Sequence, residues 1–575
     1  MSASSLPPKT PPRRSDEEDL ALWGRFKGLV GEDAKATAGH RLKLAGAKPE
    51  GFGLFMKPVL PANPLRGEQL LKGVWRIGMD RMVLVDGLAP WRAEMPSRHY
   101  SDRVHRFDWL PDLFTQGDVG ADRARYMVDD WIENFGRFDG FSWRPSCAAD
   151  RAWNWMSCGA ALFEIGDPEA VQARLDILAR HVRHVAALAD SDRDPIGVFR
   201  SATLSTVWAV SVGKSKLLED AIERLESVCT AQFLQDGGHV SRSPSRTLHC
   251  LADLLVIQEL FERADRPIPD FILKWIGRAG AMVAFFKVGD GALVPFQDGD
   301  ECLSDTVEAV LSKLDGPPRN FSVVPKSGYQ KLSKADTVVY LEAGRGPERP
   351  YGDKAHAGAL SFELIDGASR IVTSCANSPE TDIDWQAAVR RTGAHSTLIL
   401  ANEDSASFVR NEESALLYPD GPDAISAKRL EEADETWLDA QHSGYKRDFG
   451  LLHRRRLFMS GDGCRLTGED SLSRPVSAGL SEDEALIPFD IRFHLHPTLS
   501  AITANDAIIL TSETGVRWRF RTTHSTARLE PTIYLGRGIV EKTQQIVLSG
   551  KADPNGDGTS PPNCVRWVFL KDPSK

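Results

Sequence analysis

Two spacings of apolar residues divide the chain. From about residue 65 to 315 they return every three or four positions, which lays them along one face of a helix. In AVQARLDILARHVRHVAALAD, Leu175, Leu178, Val182, Val185 and Leu188 keep that period. In SRSPSRTLHCLADLLVIQELFERA a second stripe runs from Leu248 through Leu251 and Leu255 to Phe261. Ser243 suits its N-cap and Pro244 its first helical position. Pro267 to Asp270 open a third helix in PIPDFILKWIGRAGAMVAFF. Several such helices with short polar connections predict a helical array or toroid. After about residue 320 the segments shorten: DTVVYLEAG, ALSFELIDG, RIVTSC, STLILAN, PFDIRFHLHP, AIILTSETGVRWRFRTT. They are rich in β-branched and aromatic residues and are punctuated by Gly, Asn and Asp, as antiparallel strands are. Helices first and strands second predict two packed domains rather than an alternating α/β fold. The expected division is an N-terminal extension over 1–64, helices over 65–320 and strands over 321–575.

A chain of 575 residues with 42% hydrophobic and 26% charged residues forms ordinary globular cores. Its net charge of -10 argues against a general nucleic-acid binder. The eight cysteines are irregularly spaced with no CxxC pair, so neither a disulfide scaffold nor a zinc ribbon is expected. The opening MSASSLPPKTPPRRSDEEDLALWGRF is polar and charged, and no later run is long enough to span a membrane. Its first residues, to about Ser15, are expected to be disordered. A cytoplasmic location follows, with the periplasm as the alternative if an export signal precedes this start.

Three clusters carry candidate chemistry. Asp236 to Arg246 deliver His239, Arg242 and Arg246 on a Gly-rich turn to a helix start. Two guanidinium groups there suit a carboxylate or sulfate. The plainer reading pairs them with nearby Asp or Glu, and spacing alone favours it. Tyr351 to Leu364 place Lys354 and His356 ahead of the strand ALSFEL, whose Leu360, Phe362 and Leu364 face the core. A single histidine there is ordinarily a packing residue. Arg390 to Leu398 bring His395 to a strand entry beside Arg391. His356 and His395 with Cys375 between them would make a His₂Cys zinc set, though chance explains the spacing as well. Asp298, Asp300 and Glu301 in FQDGDE read as a solvated acidic loop, so a hydrolase built on them ranks low.

Together the clusters resemble the heparinase II/III-like polysaccharide lyase superfamily. The DGG-H-x-x-R stretch, the His356 to Leu364 run HAGALSFEL and the Arg390 to Leu398 run RRTGAHSTL carry the resemblance, which covers roughly residues 65 to 570. It implies an (α/α) toroid followed by an antiparallel β-sandwich, a site between them, and β-elimination on glycans containing uronic acid. The substrate would be an acidic polysaccharide or oligosaccharide, with no nucleic acid, no membrane insertion and room for a homodimer. A structural zinc would sit on His356 and His395, with Cys375 or Ser374 at the remaining ligand place. The chain departs from the family at the catalytic slots. Phe199-Arg200 stand where an Asn or Asn-His pair is expected, Arg246 in place of Tyr, and Lys354 in place of His. The implied catalytic set is His239, Lys354 and Arg246, with Arg200, Arg242, Arg391 and Tyr351 binding the sugar. The rival reading is a catalytically inactive glycan-binding protein on the same fold.

Overall fold

The computed structural model describes residues 44, 46, 49–85, 87–188, 195–377, 383–410, 417–432, 434–475, 485–523 and 527–572. The stretch expected to be disordered lies outside them. They fall into two compact units, one drawn from Met1–Gln232, His249–Gly277 and Asp382–Asp384, the other from Phe233–Leu248, Arg278–Thr381 and Trp385–Lys575.

The first unit is helical. Its long elements are Gly117–Phe135, Pro145–Ser157, Pro168–Leu188, Pro195–Ser211 and Ser215–Gln232. The predicted stripe in Pro168–Leu188 is the buried face: Leu175, Leu178, Val182 and Val185 all point inward. They share the interior with an aromatic cluster that contains a cation. The fully buried Arg151 donates to the carbonyls of His105 and Ser142, each at 2.9 Å, and lies 4.1 Å from the centroid of Trp131. Carbonyl dipoles and a ring face stand in for the water it has lost. His105 accepts from the Trp131 indole at 2.9 Å, and burial pulls its imidazole down to about 4.

The second unit is a β-sandwich, built of the antiparallel strands that the texture predicts and in the form the resemblance implies. One antiparallel sheet has eight strands, ordered from the edge as Ile425–Glu432, Glu435–His442, Leu452–Met459, Arg465–Ser473, Cys564–Lys571, Arg517–Thr522, Ala507–Ser512 and Leu499–Ala504. The other has nine and includes Tyr329–Lys334, Thr337–Glu342, Phe362–Asp366 and Ser369–Thr373. Inward residues from both sheets form one core, with Val339, Phe362 and Ile491 from one and Leu438, Leu457, Trp518 and Trp567 from the other. The strand Glu435–His442 alternates as a half-buried strand should. Phe362–Asp366 and Ser369–Thr373 are buried on both faces. Leu360, expected within the strand, instead adopts φ +59 ahead of it, although its side chain does enter the core.

Polar groups inside the sandwich are tied together. Asp470 accepts from Arg455 Nε at 2.8 Å and Nη2 at 3.0 Å, from His453 Nε2 at 2.8 Å and from Trp567 Nε1 at 2.8 Å. Burial alone would raise its pKa, but Arg455 and His453 hold the carboxyl well below the ordinary range.

Glu363 behaves oppositely. It is fully buried, accepts from the Ser374 amide at 2.8 Å, and is pushed up to about 8, first by loss of water. The folded value lies above the ordinary 4.5, so its contribution to stability is complete below pH 4.5 and is lost as pH rises towards about 8. Glu363→Gln keeps the shape and removes the titration. The unfolding free energy of the variant from urea titration, relative to wild type, is expected to climb across that window by about 1.4 kcal/mol per pH unit. A constant offset between the two curves from pH 5 to 8 would show that Glu363 is ionised in the fold.

Candidate functional site

The Gly-rich turn is held by geometry that only its glycines allow. Gly237 sits at φ +96, and a Cβ on it would collide with the Arg278 carbonyl. Asp236 accepts from the amides of Lys326 at 2.9 Å and Ser327 at 2.7 Å, and from Ser327 Oγ at 2.8 Å. This clip explains why Phe233–Leu248 groups with the strand-rich unit although it lies within the helical stretch of sequence. The helix Pro244–Arg263 starts where expected, with Ser243 Oγ accepting from the Arg246 amide at 3.3 Å.

Arg242 is buried at φ +62, with acceptors on Nε and Nη1 and none on Nη2 among the described residues. Its Nε donates to the Ser327 carbonyl at 2.7 Å, and its Nη1 to the carbonyls of Gly344, at 3.1 Å, and Arg345. Nη1 also lies 3.3 Å from Glu342 Oε1, and the guanidinium covers the Tyr329 ring at 4.9 Å. Arg246 faces Asp298 at 3.8 Å. The cations expected to converge on a substrate anion therefore meet carboxylates of this chain.

Around Glu342 a buried chain of polar groups continues. Gln297 Nε2 donates to Glu342 Oε1, and Gln297 Oε1 accepts from the His356 amide at 2.9 Å. The rings of His356 and His395 then lie 5.2 Å apart. Neither nitrogen of His356, nor Nε2 of His395, has a hydrogen-bond partner among the described residues. Burial pulls His356 well below its ordinary range and His395 down to about 4, so both are neutral. Gln297 was missed by the sequence reading because no motif marks a glutamine held at φ +57.

Cys375 does not join the pair. Its thiol donates to the Ile533 carbonyl at 3.3 Å, and the side chain packs with Val389 and Leu535. Burial pushes this thiol up to about 12. Ser374 Oγ accepts from the Ser396 amide at 3.3 Å. Among the described residues no three His, Cys, Asp or Glu side chains gather as an ion would require, so the expected His₂Cys set does not form.

His239 is buried beside Tyr351, ring centroids 6.1 Å apart. Its Nδ1 accepts from the Ser241 amide at 3.1 Å, which leaves the proton of the neutral ring on Nε2. Burial first, then Arg246, pulls its pKa to about 3. That is far from the near-neutral value expected for a general acid or base. Lys354 is exposed while the following Ala355 to Leu360 are buried. Arg391 is exposed and pairs with Asp404 at 2.9 Å. Arg200 lies in the helical unit, where Asp253 at 2.7 Å, Asp150 at 3.4 Å and the face of Trp153 occupy its guanidinium. The FQDGDE loop is not solvated as expected. Glu301 is buried among Arg370 at 3.6 Å, His496 at 3.3 Å and Tyr534, and Asp300 is pushed up to about 6 by burial.

The sandwich thus carries its paired histidines ahead of a doubly buried strand. A family model described as heparinase II/III-like, C-terminal, matches residues 316–568. The chain belongs to the heparinase II/III-like family. It is 32% identical over 564 residues to FtsZ-localized protein C of Caulobacter vibrioides, a match spanning 96% of each chain. Its fold matches heparinase III with a TM-score of 0.67 at 14% identity, over 96% of this chain and 91% of that one. It also matches the heparan sulfate lyase HepC of Pedobacter heparinus with a TM-score of 0.53 at 15% identity, over the same shares. The toroid-plus-sandwich fold class is thus established.

Proposed function

We propose that this protein has given up lyase chemistry and serves as a binding protein that works with FtsZ, in the compartment FtsZ occupies. The carrying observation is that Arg242 and Arg246 face Glu342 and Asp298. A lyase needs uncommitted positive charge to stabilise the carboxylate and the carbanion formed next to it. Here that charge has in-chain partners, and a glycan carboxylate would have to displace Glu342 from a buried ion pair, which is costly. His239, neutral and pulled to about 3, is a poor proton carrier near neutrality. The full-length likeness to an FtsZ-localized protein supports the choice of partner. A cytoplasmic location is part of the same reading.

β-Elimination on an acidic glycan is the second reading, favoured by the adjacency of His239 and Tyr351. One experiment separates them. The purified chain is incubated with a panel of uronate polysaccharides while near-ultraviolet absorbance is followed, and in parallel is sedimented with FtsZ polymers. The expected result is no unsaturated uronate and co-sedimentation. Absorbance that grows with wild type and falls at least about a hundredfold in His239→Ala and Tyr351→Phe would establish the lyase.

A further inference from the structure

The edge strand Ile425–Glu432 of the eight-stranded sheet carries the sequence Lys428-Arg429-Leu430-Glu431-Glu432. Its charges reverse sign about Leu430. Leu430 is 57% exposed and stands opposite Trp437, which is 46% exposed. Trp437 in turn stands opposite Phe458 on the next strand, the two rings 4.4 Å apart. An apolar ladder thus crosses three strands on the outer face and stops at an edge strand that pairs with no further strand among the described residues. At the same edge Glu432 lies directly opposite Glu435, a like-charge pair that destabilises the strand pairing.

Charges on an edge strand ordinarily repel further strands. Here the charges favour one antiparallel register over those shifted by two residues to either side of it. In an antiparallel pairing with a second copy centred on Leu430, Lys428 faces Glu432 and Arg429 faces Glu431, in both directions. Leu430 meets Leu430 of the copy, and the ladder runs unbroken from Phe458 to Phe458. Shifting the register by two residues sets Arg429 on Arg429 or Glu431 on Glu431. We propose that the chain forms a twofold dimer in which Ile425–Glu432 pairs antiparallel with the same strand of a second copy. Residues Lys428–Glu432 of each edge are then paired, and Lys428 of the second copy relieves the Glu432–Glu435 repulsion. The twofold makes the interface self-complementary and finite, so it ends at two chains. Arg429 bonds Glu431 of its own strand at 2.7 Å and the Lys331 carbonyl at 2.9 Å, and in the dimer its remaining donors meet the second copy's Glu431.

The test uses the full chain in sedimentation equilibrium at low salt. Wild type is expected at twice the 63.4 kDa chain mass. K428E/R429E and E431K/E432K each set like charges against like and are expected to weaken self-association at least about a hundredfold. Mixed in equal amounts, the two variants restore four attractive pairs, and a dimer containing one of each is expected. That rescue also shows that both variants are folded. A monomeric wild type at tens of micromolar, dimers of either variant alone as tight as wild type, or a mixture that stays monomeric would each overturn the proposal. Activity and FtsZ association are separate readouts, so failure here is distinguishable from failure of the functional reading.

Discussion

Asp470→Ala is expected to destabilise the protein by about 3–5 kcal/mol, among the largest effects of any single substitution in the sandwich. The carboxylate is fully buried, and its loss leaves Arg455 charged in the core, with its other donors on the carbonyls of Leu360 and Ser396 at 2.8 Å each. It also frees the Trp567 indole and the His453 ring, which itself bonds His442 at 3.0 Å. The cost arises from the orphaned cation more than from the lost bonds. Asp470→Ala/Arg455→Met should therefore be milder than Asp470→Ala alone. Denaturant midpoints of wild type and the two variants decide it, and a double variant that is worse than the single would place the cost elsewhere.

Stability is expected to collapse on mild acidification. Burial holds His105 at about 4 and His239 at about 3, and pulls His181 and His442 well below the ordinary range. His181 accepts from Arg151 Nη2 at 2.9 Å, which leaves no room for a proton on that nitrogen. A folded pKa below the ordinary 6.5 means that the stabilising contribution is complete above pH 6.5 and is lost as pH falls towards the folded value. Each such ring adds about 1.4 kcal/mol per pH unit, so the four together set a steep slope. Urea midpoints from pH 7 to 4.5 should fall sharply, with proton uptake on unfolding of several per chain at pH 5. A flat profile over that range would mean that these rings are charged in the fold. Glu363 has the opposite sign and is favoured by acid, so it only partly offsets the loss.

Local patterns were legible in the sequence and long-range partners were not. The stripe through Leu175 to Val185 and the Ser243–Pro244 helix start depend on neighbours within a few residues, and both appear as expected. His356 and His395 come together because motif spacing brings two strand entries side by side. The acidic loop was misjudged because burial of Glu301 is decided by Arg370, His496 and Tyr534, from 69 to 233 positions away. Cys375 lies between the histidines in sequence, but the chain turns its thiol towards Leu535. Arg242 looked like a substrate clamp because carbonyl acceptors leave no trace in residue types; its own are supplied by Ser327, Gly344 and Arg345.

The clip at Asp236 bears on how such a protein can be inherited. The segment that plugs the strand-rich unit, Phe233–Leu248, is encoded in the middle of the helical region. A gene fragment starting at residue 316, where the family match begins, would encode nearly every strand of the sandwich yet omit Arg242. Glu342 would then be left in the interior with its cation missing and the Ser327, Gly344 and Arg345 carbonyls unanswered. The two halves are therefore poor candidates for exchange by recombination at the apparent junction. Shuffling would succeed only where the incoming helical half brings its own arginine on its own loop, so the halves should travel through lineages as one piece.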